Sequence, residues 1–233
     1  MIRTVAQTGS TNADLIDLAR AGAQEGLWLR AERQTGGRGR QGRAWVSPEG
    51  NLYASTIVRL RASDPPPATL ALVAAVALEE AVRIWLPDAP ILLKWPNDLL
   101  IAGAKLSGIL LERVDTAVVI GIGVNIAHHP TDIERSATSL SAQGAAPAPG
   151  LFLETLADTF SRWLTRWRGE GIGAIRDRWT ARAHPEGTAL QARLGDGVVI
   201  DGLYAGLNGD GALILRLADG TRHVIHAGDV FLI

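Results

Sequence analysis

Gln34-Thr35-Gly36-Gly37-Arg38-Gly39-Arg40-Gln41-Gly42-Arg43 is the stretch on which the reading of the fold turns. Within it, residues 37–42 match G-x-G-x-x-G, the dinucleotide fingerprint, which requires a helix to open directly after the glycines. None does. Arg43-Ala44-Trp45-Val46-Ser47-Pro48-Glu49-Gly50 follows, and Pro48 and Gly50 break any helix there. A doubly wound nucleotide fold is therefore excluded on context. What remains is the chemistry of the residue types. Glycine lets the backbone bend and approach a ligand closely. Arginine brings permanent charge and forked donors that suit carboxylates and phosphates. The loop has no acidic residue, so it is expected to wrap something small and anionic.

Composition narrows the setting. The 233 residues can bury a sizeable core, with 47% hydrophobic and 20% charged residues. A net charge of −1 and thin aromatic interleaving argue against an RNA-binding loop. There is no cysteine, which excludes disulfides, thiolate metal sites and a cysteine nucleophile. The first residues lack the apolar core of a signal peptide, and the run at 69–78 is too short to span a bilayer. A cytoplasmic protein with no membrane segment is expected.

Outward from the loop, the chain reads as α+β. Thr11 followed by Asp14 is a capping pattern for a first helix that Gly22 stops. Residues 27–33 and 51–60 read as strands on either side of the loop. Pro65-Pro66-Pro67 breaks the chain before a long helix at 68–85. Apolar runs at 91–94 and 106–113 look like adjacent strands of a mixed sheet, joined by a further run at 117–126. Residues 136–150 read as a surface loop, and 151–168 and 172–182 as helices. After Pro185-Glu186-Gly187, short alternating runs with Gly195-Asp196-Gly197, Asn208-Gly209-Asp210-Gly211 and Asp219-Gly220 signal hairpins at barrel-like spacing. Two units are expected, 1–184 and 187–233.

Other segments carry chemistry as well. Lys94-Trp95-Pro96-Asn97-Asp98 stands at a strand end, as either a plain turn or a place to hold a metal–phosphate group or an amine. Lys105 opens the next strand. Gly121-Ile122-Gly123-Val124-Asn125 leaves two positions without side chains on an apolar strand, reading equally as close approach to a ligand or as a bulge. His128-His129 reads as a surface pair, with no partner at metal-ligand spacing.

Taken in order, Ser10-Thr11-Asn12, Gln34 with residues 37–43, Lys94-Trp95-Pro96-Asn97-Asp98, Lys105-Leu106-Ser107-Gly108-Ile109-Leu110 and residues 121–125 resemble the biotin–protein ligases. The resemblance covers the whole chain, including the Ala227-Gly228-Asp229-Val230 ending. One departure is Gln41, where some members have a further arginine. Because the chain begins directly at the catalytic part, it resembles the monofunctional type, without the helix-turn-helix that binds DNA in bifunctional members. The implied fold is a mixed sheet flanked by helices, like the class II aminoacyl-tRNA synthetases, with a small C-terminal SH3-like barrel.

The resemblance implies a two-step reaction in one site. Biotin's carboxylate attacks the α-phosphorus of ATP, giving biotinyl-5'-AMP and pyrophosphate, with Mg²⁺ offsetting the leaving charge. A lysine of a biotin carboxyl carrier domain then displaces AMP. By analogy, Ser10, Thr11, Asn12 and Gln34 hold the ureido ring, and Gly37, Arg38, Gly39, Gly108 and Leu110 enclose the bicycle and tail. Trp45 closes over the ligand. Arg38, Arg40, Arg43, Lys94 and Lys105 supply positive charge, with Lys105 touching both carboxylate and α-phosphate. Asn97, Gly121, Gly123 and Asn125 face the adenylate. Asp98 orients and deprotonates the incoming lysine, or acts through Asn97 and Mg²⁺. Residues 37–45, with nothing to balance their charge, are expected to be mobile until ligand binds. A lipoate or octanoate ligase or transferase of related fold is the alternative, and pairing of two copies through the run at 117–126 is one option.

Overall fold

Strands β1 (Ile2–Thr8), β2 (Trp28–Gln34), β3 (Leu52–Arg59), β4 (Ile91–Lys94), β5 (Asp98–Ile101), β6 (Ala104–Val114) and β7 (Ala117–Val124) form one sheet in the order β1-β2-β3-β7-β6-β5-β4. The coordinates are a computed structural model, and it describes residues 1–131 and 136–233. β1 runs parallel to β2 and the other pairs are antiparallel, so the sheet is mixed. At its centre β3 and β7 pair without interruption, from Leu52 opposite Val124 to Arg59 opposite Ala117. Both faces of these strands are covered, which is why they read as near-continuous apolar runs.

Helix α1 (Thr11–Arg20) lays Leu15 and Ala19 on Ile57, Val114, Ala117 and Val119 on one side. Helices α2 (Leu70–Trp85), α3 (Pro149–Glu170) and α4 (Ile172–Thr180) pack on the other. α2 is rich in alanine and leucine with no glycine or proline inside, and Pro87 lies just past its end. Full burial of Leu70, Val73, Leu78 and Val82 contributes about 1.5–3 kcal/mol each. Glu79 of α2 is fully buried and is held by Arg83, Arg178 and Arg182. The Arg182 carbonyl in turn accepts the Leu93 N–H at 2.7 Å, which fixes the strand carrying Lys94.

Strands β8 (Ala189–Arg193), β9 (Val199–Leu207), β10 (Leu213–Arg216), β11 (Arg222–Ile225) and β12 (Asp229–Leu232) form a second, antiparallel sheet in the order β11-β10-β9-β8-β12. Asp196, Asn208 and Asp219 close its turns through side-chain bonds to backbone N–H groups. Where an SH3-like barrel is expected, the structure has an antiparallel five-stranded sheet whose end strands β11 and β12 do not pair with each other. Its core is continuous with that of the first sheet through Leu190, Tyr204, Leu213 and Val230. The Trp95 indole donates to the Gly211 carbonyl at 3.1 Å and ties the two sheets together.

Several expectations change. Strands β4 and β6 are not adjacent, because β5 lies between them. Strand β1 was not legible in the sequence at all; its side chains are mostly exposed and lack apolar alternation. Strand β7 is interior, so the run at 117–126 offers no edge for a second copy. Residues 136–150 are not simply a surface loop. Ala137 bridges Lys105, and Thr138, Ser139 and Leu140 are buried. Among the described residues, no helix is long and apolar enough to cross a membrane.

Candidate active site

Parallel pairing of β1 with β2 brings Gln34, at the end of β2, beside the start of α1. Gln34 Oε1 accepts the Thr11 N–H at 2.9 Å. This replaces the Thr11–Asp14 capping box expected from sequence. Ser10 is the N-cap and makes no side-chain cap bond, while the Asp14 carboxylate accepts the Thr8 hydroxyl at 2.6 Å. A distant side chain has taken over a local task, and the Thr11 hydroxyl lies within hydrogen-bond distance of both Gln34 Oε1, at 3.1 Å, and Ser55 Oγ, at 2.7 Å.

Beyond Gln34 the glycine–arginine stretch folds as a tight hairpin. Trp45 N–H bonds the Gly37 carbonyl at 2.9 Å, and Gly39 N–H bonds Arg43 at 2.7 Å. A Cβ on Gly37 would stand 2.5 Å from the Trp45 carbonyl, so only glycine permits this return. Two of the loop's three arginines meet a carboxylate, contrary to expectation. Asp229 of β12 accepts two bonds from Arg43, at 3.0 and 2.8 Å, and lies 3.5 Å from Arg40. Burial lowers the Arg40 pKa, with Asp229 opposing the shift only in part, and a guanidinium stays charged throughout.

These elements enclose a cavity of about 290 Å³, at the lower end for a small-ligand site. Its lining gathers Ser10, Thr11, Asn12, Gln34, Arg38, Gly39, Arg40, Arg43, Trp45, Asn97, Asp98, Lys105, Gly108, Leu110, Gly121, Gly123 and Asn125. Two expected residues are not brought to it. Gly37 is occupied with the hairpin, and Lys94 lies over the Phe231 ring of β12, 5.5 Å from its centroid.

Within the cavity, Asn12 stands against Gly121, whereas Trp45 stands against Gly123 and Lys105 against Gly108. Lys105 Nζ pairs with Asp98 at 2.5 Å and sits 5.6 Å from the Trp45 ring centroid. The Trp45 indole N–H is buried and meets no acceptor among the described residues. Asn97 and Asn125 spend their amides on backbone carbonyls, of Ile109 at 2.5 Å and Thr138 at 3.0 Å. They hold strands together at the cavity wall. Residues 121–125 contain no bulge, since β7 keeps regular register with β3 and β6. The two glycines there make room for side chains: a Cβ at 121 would lie 2.2 Å from Asn12 Oδ1, and one at 123 would lie 2.7 Å from the Trp45 ring.

Sequence reasoning missed Ser47, Tyr53, Ser55, Glu112 and Asp229. Ser47 links Gln34 to the Trp45 carbonyl. Tyr53 lines the cavity and donates to the Pro48 carbonyl at 2.7 Å, and burial pushes its phenol up to about 12. A serine within an apolar strand was the available signal for Ser55, and an acid within one for Glu112. His128 is exposed, as expected of a surface pair, whereas His129 contacts Ser139 Oγ at 3.0 Å. Among the described residues, no group of three acids or histidines stands where it could cage a metal ion.

Residues 5–125 match the model of the biotin/lipoate A/B protein ligase family, and 189–233 that of the biotin protein ligase C-terminal domain. The chain belongs to the biotin/lipoate A/B protein ligase family. It is 41% identical to a biotin–[acetyl-CoA-carboxylase] ligase of Paracoccus denitrificans, over 97% of this chain and 98% of that one. A ligase of the same description from Mycobacterium tuberculosis is 37% identical over 97% of this chain and 86% of its own. Among solved structures, the biotin protein ligase of Aquifex aeolicus in complex with biotin and ATP superposes with a TM-score of 0.88 at 26% identity, covering 100% and 99% of the two chains.

Proposed function

We propose that this protein is an ATP-dependent ligase that activates biotin as biotinyl-5'-AMP and transfers it to a lysine of a biotin carboxyl carrier domain. The acetyl-CoA carboxylase carrier is the substrate, by likeness to the Paracoccus and Mycobacterium relatives. The observation that carries this reading is one cavity lined both by a neutral polar set, Thr11, Asn12 and Gln34, and by a cationic set, Arg38, Arg40, Arg43 and Lys105. A neutral ureido ring suits the first and two anionic groups suit the second.

In the first step the biotin carboxylate attacks the α-phosphorus and pyrophosphate leaves. Fixed cations lower the repulsion between the carboxylate and the triphosphate, and partial burial strengthens them. Lys105 is the group we assign to both anions, with Arg40 behind it. In the second step the carrier amine attacks the mixed anhydride and AMP leaves. A lysine with pKa near 10.4 must lose a proton, which costs roughly 4–5 kcal/mol at neutral pH. Asp98 is the candidate acceptor once it releases Lys105. Among the described residues no three acids or histidines gather to hold an ion, and we assign Mg²⁺ to the nucleotide phosphates as their counter-ion. Catalysis is assigned to residues 1–184, with 187–233 holding the arginine loop, and the reaction to the cytoplasm.

A lipoate or octanoate substrate is disfavoured on physical grounds. Neither carries a ureido group, so Thr11, Asn12 and Gln34 would face an apolar tail without partners. Incubation with ATP, each acid in turn and a carrier domain, read by mass, is the test. Gain of one biotinyl group on the carrier is expected. Modification by lipoate or octanoate in preference to biotin would overturn the reading.

A further inference from the structure

Of the neutral groups at the cavity, Thr11 and Asn12 are held from the sheet. Asn12 Nδ2 donates to Glu112 of β6 at 2.7 Å, Asn12 Oδ1 accepts the Ser55 hydroxyl at 2.6 Å, and Ser55 Oγ lies 2.7 Å from Thr11 Oγ1. Gln34 is held from the loop instead. Its Nε2 donates to Ser47 Oγ at 3.2 Å, and the Ser47 hydroxyl donates to the Trp45 carbonyl at 2.8 Å. Ser47 is 5% exposed and stands behind the cavity, whereas Gln34 and Trp45 line it. Gly37 packs on this junction: a Cβ there would lie 2.5 Å from the Trp45 carbonyl, 2.7 Å from Ser47 Oγ and 2.9 Å from Gln34 Nε2.

The direction of each bond at this junction follows from backbone groups at its two ends. The Thr11 backbone N–H only donates, so the Gln34 atom it meets at 2.9 Å is the oxygen, and the amide nitrogen faces Ser47. An amide nitrogen donates and does not accept, so Ser47 Oγ accepts there. The single Ser47 proton then goes to the Trp45 carbonyl, which has none to give. The Thr11 hydroxyl, 3.1 Å from Gln34 Oε1, uses that oxygen's second lone pair and leaves this order unaltered. The amide is planar. With its oxygen held by Thr11 and one N–H held by Ser47, the direction of its remaining N–H is set. Backbone bonds from Gln34 N–H to the Ser47 carbonyl, at 3.4 Å, and from Trp45 N–H to the Gly37 carbonyl, at 2.9 Å, close the hairpin without help from the Ser47 hydroxyl. The side chain therefore has a task separate from the fold of the loop.

We infer that Ser47 is a positioning residue for the acid substrate: it fastens the Gln34 amide to the Trp45 leg of the hairpin and aims the remaining Gln34 N–H. The inference rests on the ligase reading, in which Gln34 meets the ureido ring. Removing the Ser47 hydroxyl leaves the Gln34 nitrogen short of an acceptor and the Trp45 carbonyl short of a donor. The Thr11 bonds still keep the amide oxygen on their side, but the amide plane swings about that oxygen. Both the aim of Gln34 and its hold on the Thr11 N–H then weaken.

The Thr11 backbone amide reports on this role, because it bonds Gln34 Oε1 and belongs to a different element from Ser47. Hydrogen exchange is followed by NMR on the ligand-free full chain, on Ser47→Ala and on Ser47→Cys, which keeps the size but offers only a weak donor. Thr11 exchange is expected to speed up about tenfold in both variants. Asp14 N–H, bonded to the Ser10 carbonyl at 3.1 Å in the same helix turn, should stay within about twofold. Dissociation constants for biotin, measured by calorimetry without nucleotide, should rise about tenfold. Unchanged Thr11 exchange, or unchanged biotin affinity, in a folded variant would overturn the inference. So would equal acceleration at Thr11 and Asp14, which marks a general loosening of α1, or loss of the fold in both variants, which would make Ser47 a purely structural residue. Failure of the unaltered protein to bind biotin, with the Thr11 response intact, would instead overturn the ligase reading.

Discussion

Arg43 donates two hydrogen bonds to Asp229, of 3.0 and 2.8 Å, from the glycine–arginine hairpin to the last strand of the second sheet. The small C-terminal sheet therefore holds the loop that lines the cavity, with Arg40 bonding the Gly228 carbonyl at 3.1 Å beside the same carboxylate. Asp229→Asn halves the acceptors and removes the charge that balances two arginines. Limited proteolysis of the ligand-free protein should cut residues 37–45 faster in the variant, and the KM for ATP should rise by about tenfold, as expected for a charge-assisted bond. Identical cleavage rates in variant and parent would show that Asp229 does not restrain the loop.

Asp98 and Lys105 stand 2.5 Å apart, so neither carries out its proposed chemistry independently of the other. Lys105→Ala is expected to slow pyrophosphate release about 10²–10³-fold, the usual loss for one group that stabilises developing charge. Asp98→Asn separates two roles. If the carboxylate only aims Lys105, adenylate formation and transfer to the carrier fall together. If it also takes the carrier's proton, transfer from preformed biotinyl-5'-AMP falls further, and most at low pH. Unimpaired transfer in Asp98→Asn would remove the proton-acceptor role.

Gly123 marks where the Trp45 indole rests on β7. An added methyl would come 2.7 Å from the ring, and overpacking of this kind costs about 1–3 kcal/mol unless the ring moves. Gly123→Ala should shift tryptophan emission and weaken biotinyl-5'-AMP binding by about 10–100-fold, the same energy expressed as affinity. Unchanged affinity would mean that Trp45 need not sit there.

His184 lies between α4 and β8 with Nε2 buried and without a hydrogen-bond partner among the described residues, and burial, then Lys94, lowers its pKa from 6.5. The folded protein thus resists protonation more than the unfolded chain does. Its contribution is present above pH 6.5 and is lost as pH falls from there toward the lower folded-state value. The melting temperature of the parent should drop more between about pH 7 and pH 5.5 than that of His184→Phe, which cannot titrate. Parallel curves would exclude this linkage.

The residue types alone determined much of this protein. Proline and glycine after residue 42 ruled out a dinucleotide helix, and the long alanine-rich run made α2. Turns with Asx residues and glycine marked the second sheet. These signals are local, set by backbone sterics and hydrophobic periodicity, and local physics can be read from neighbours in the chain. Tertiary structure decided what depends on distant partners. It placed β5 between β4 and β6, gave Thr11's backbone N–H to Gln34, spent two glycines on accommodating Asn12 and Trp45, and set Asp229 against Arg43, 186 positions away. Contacts of that kind carry no periodicity, because the cost of closing the intervening chain is met by the whole fold and leaves no mark on either end.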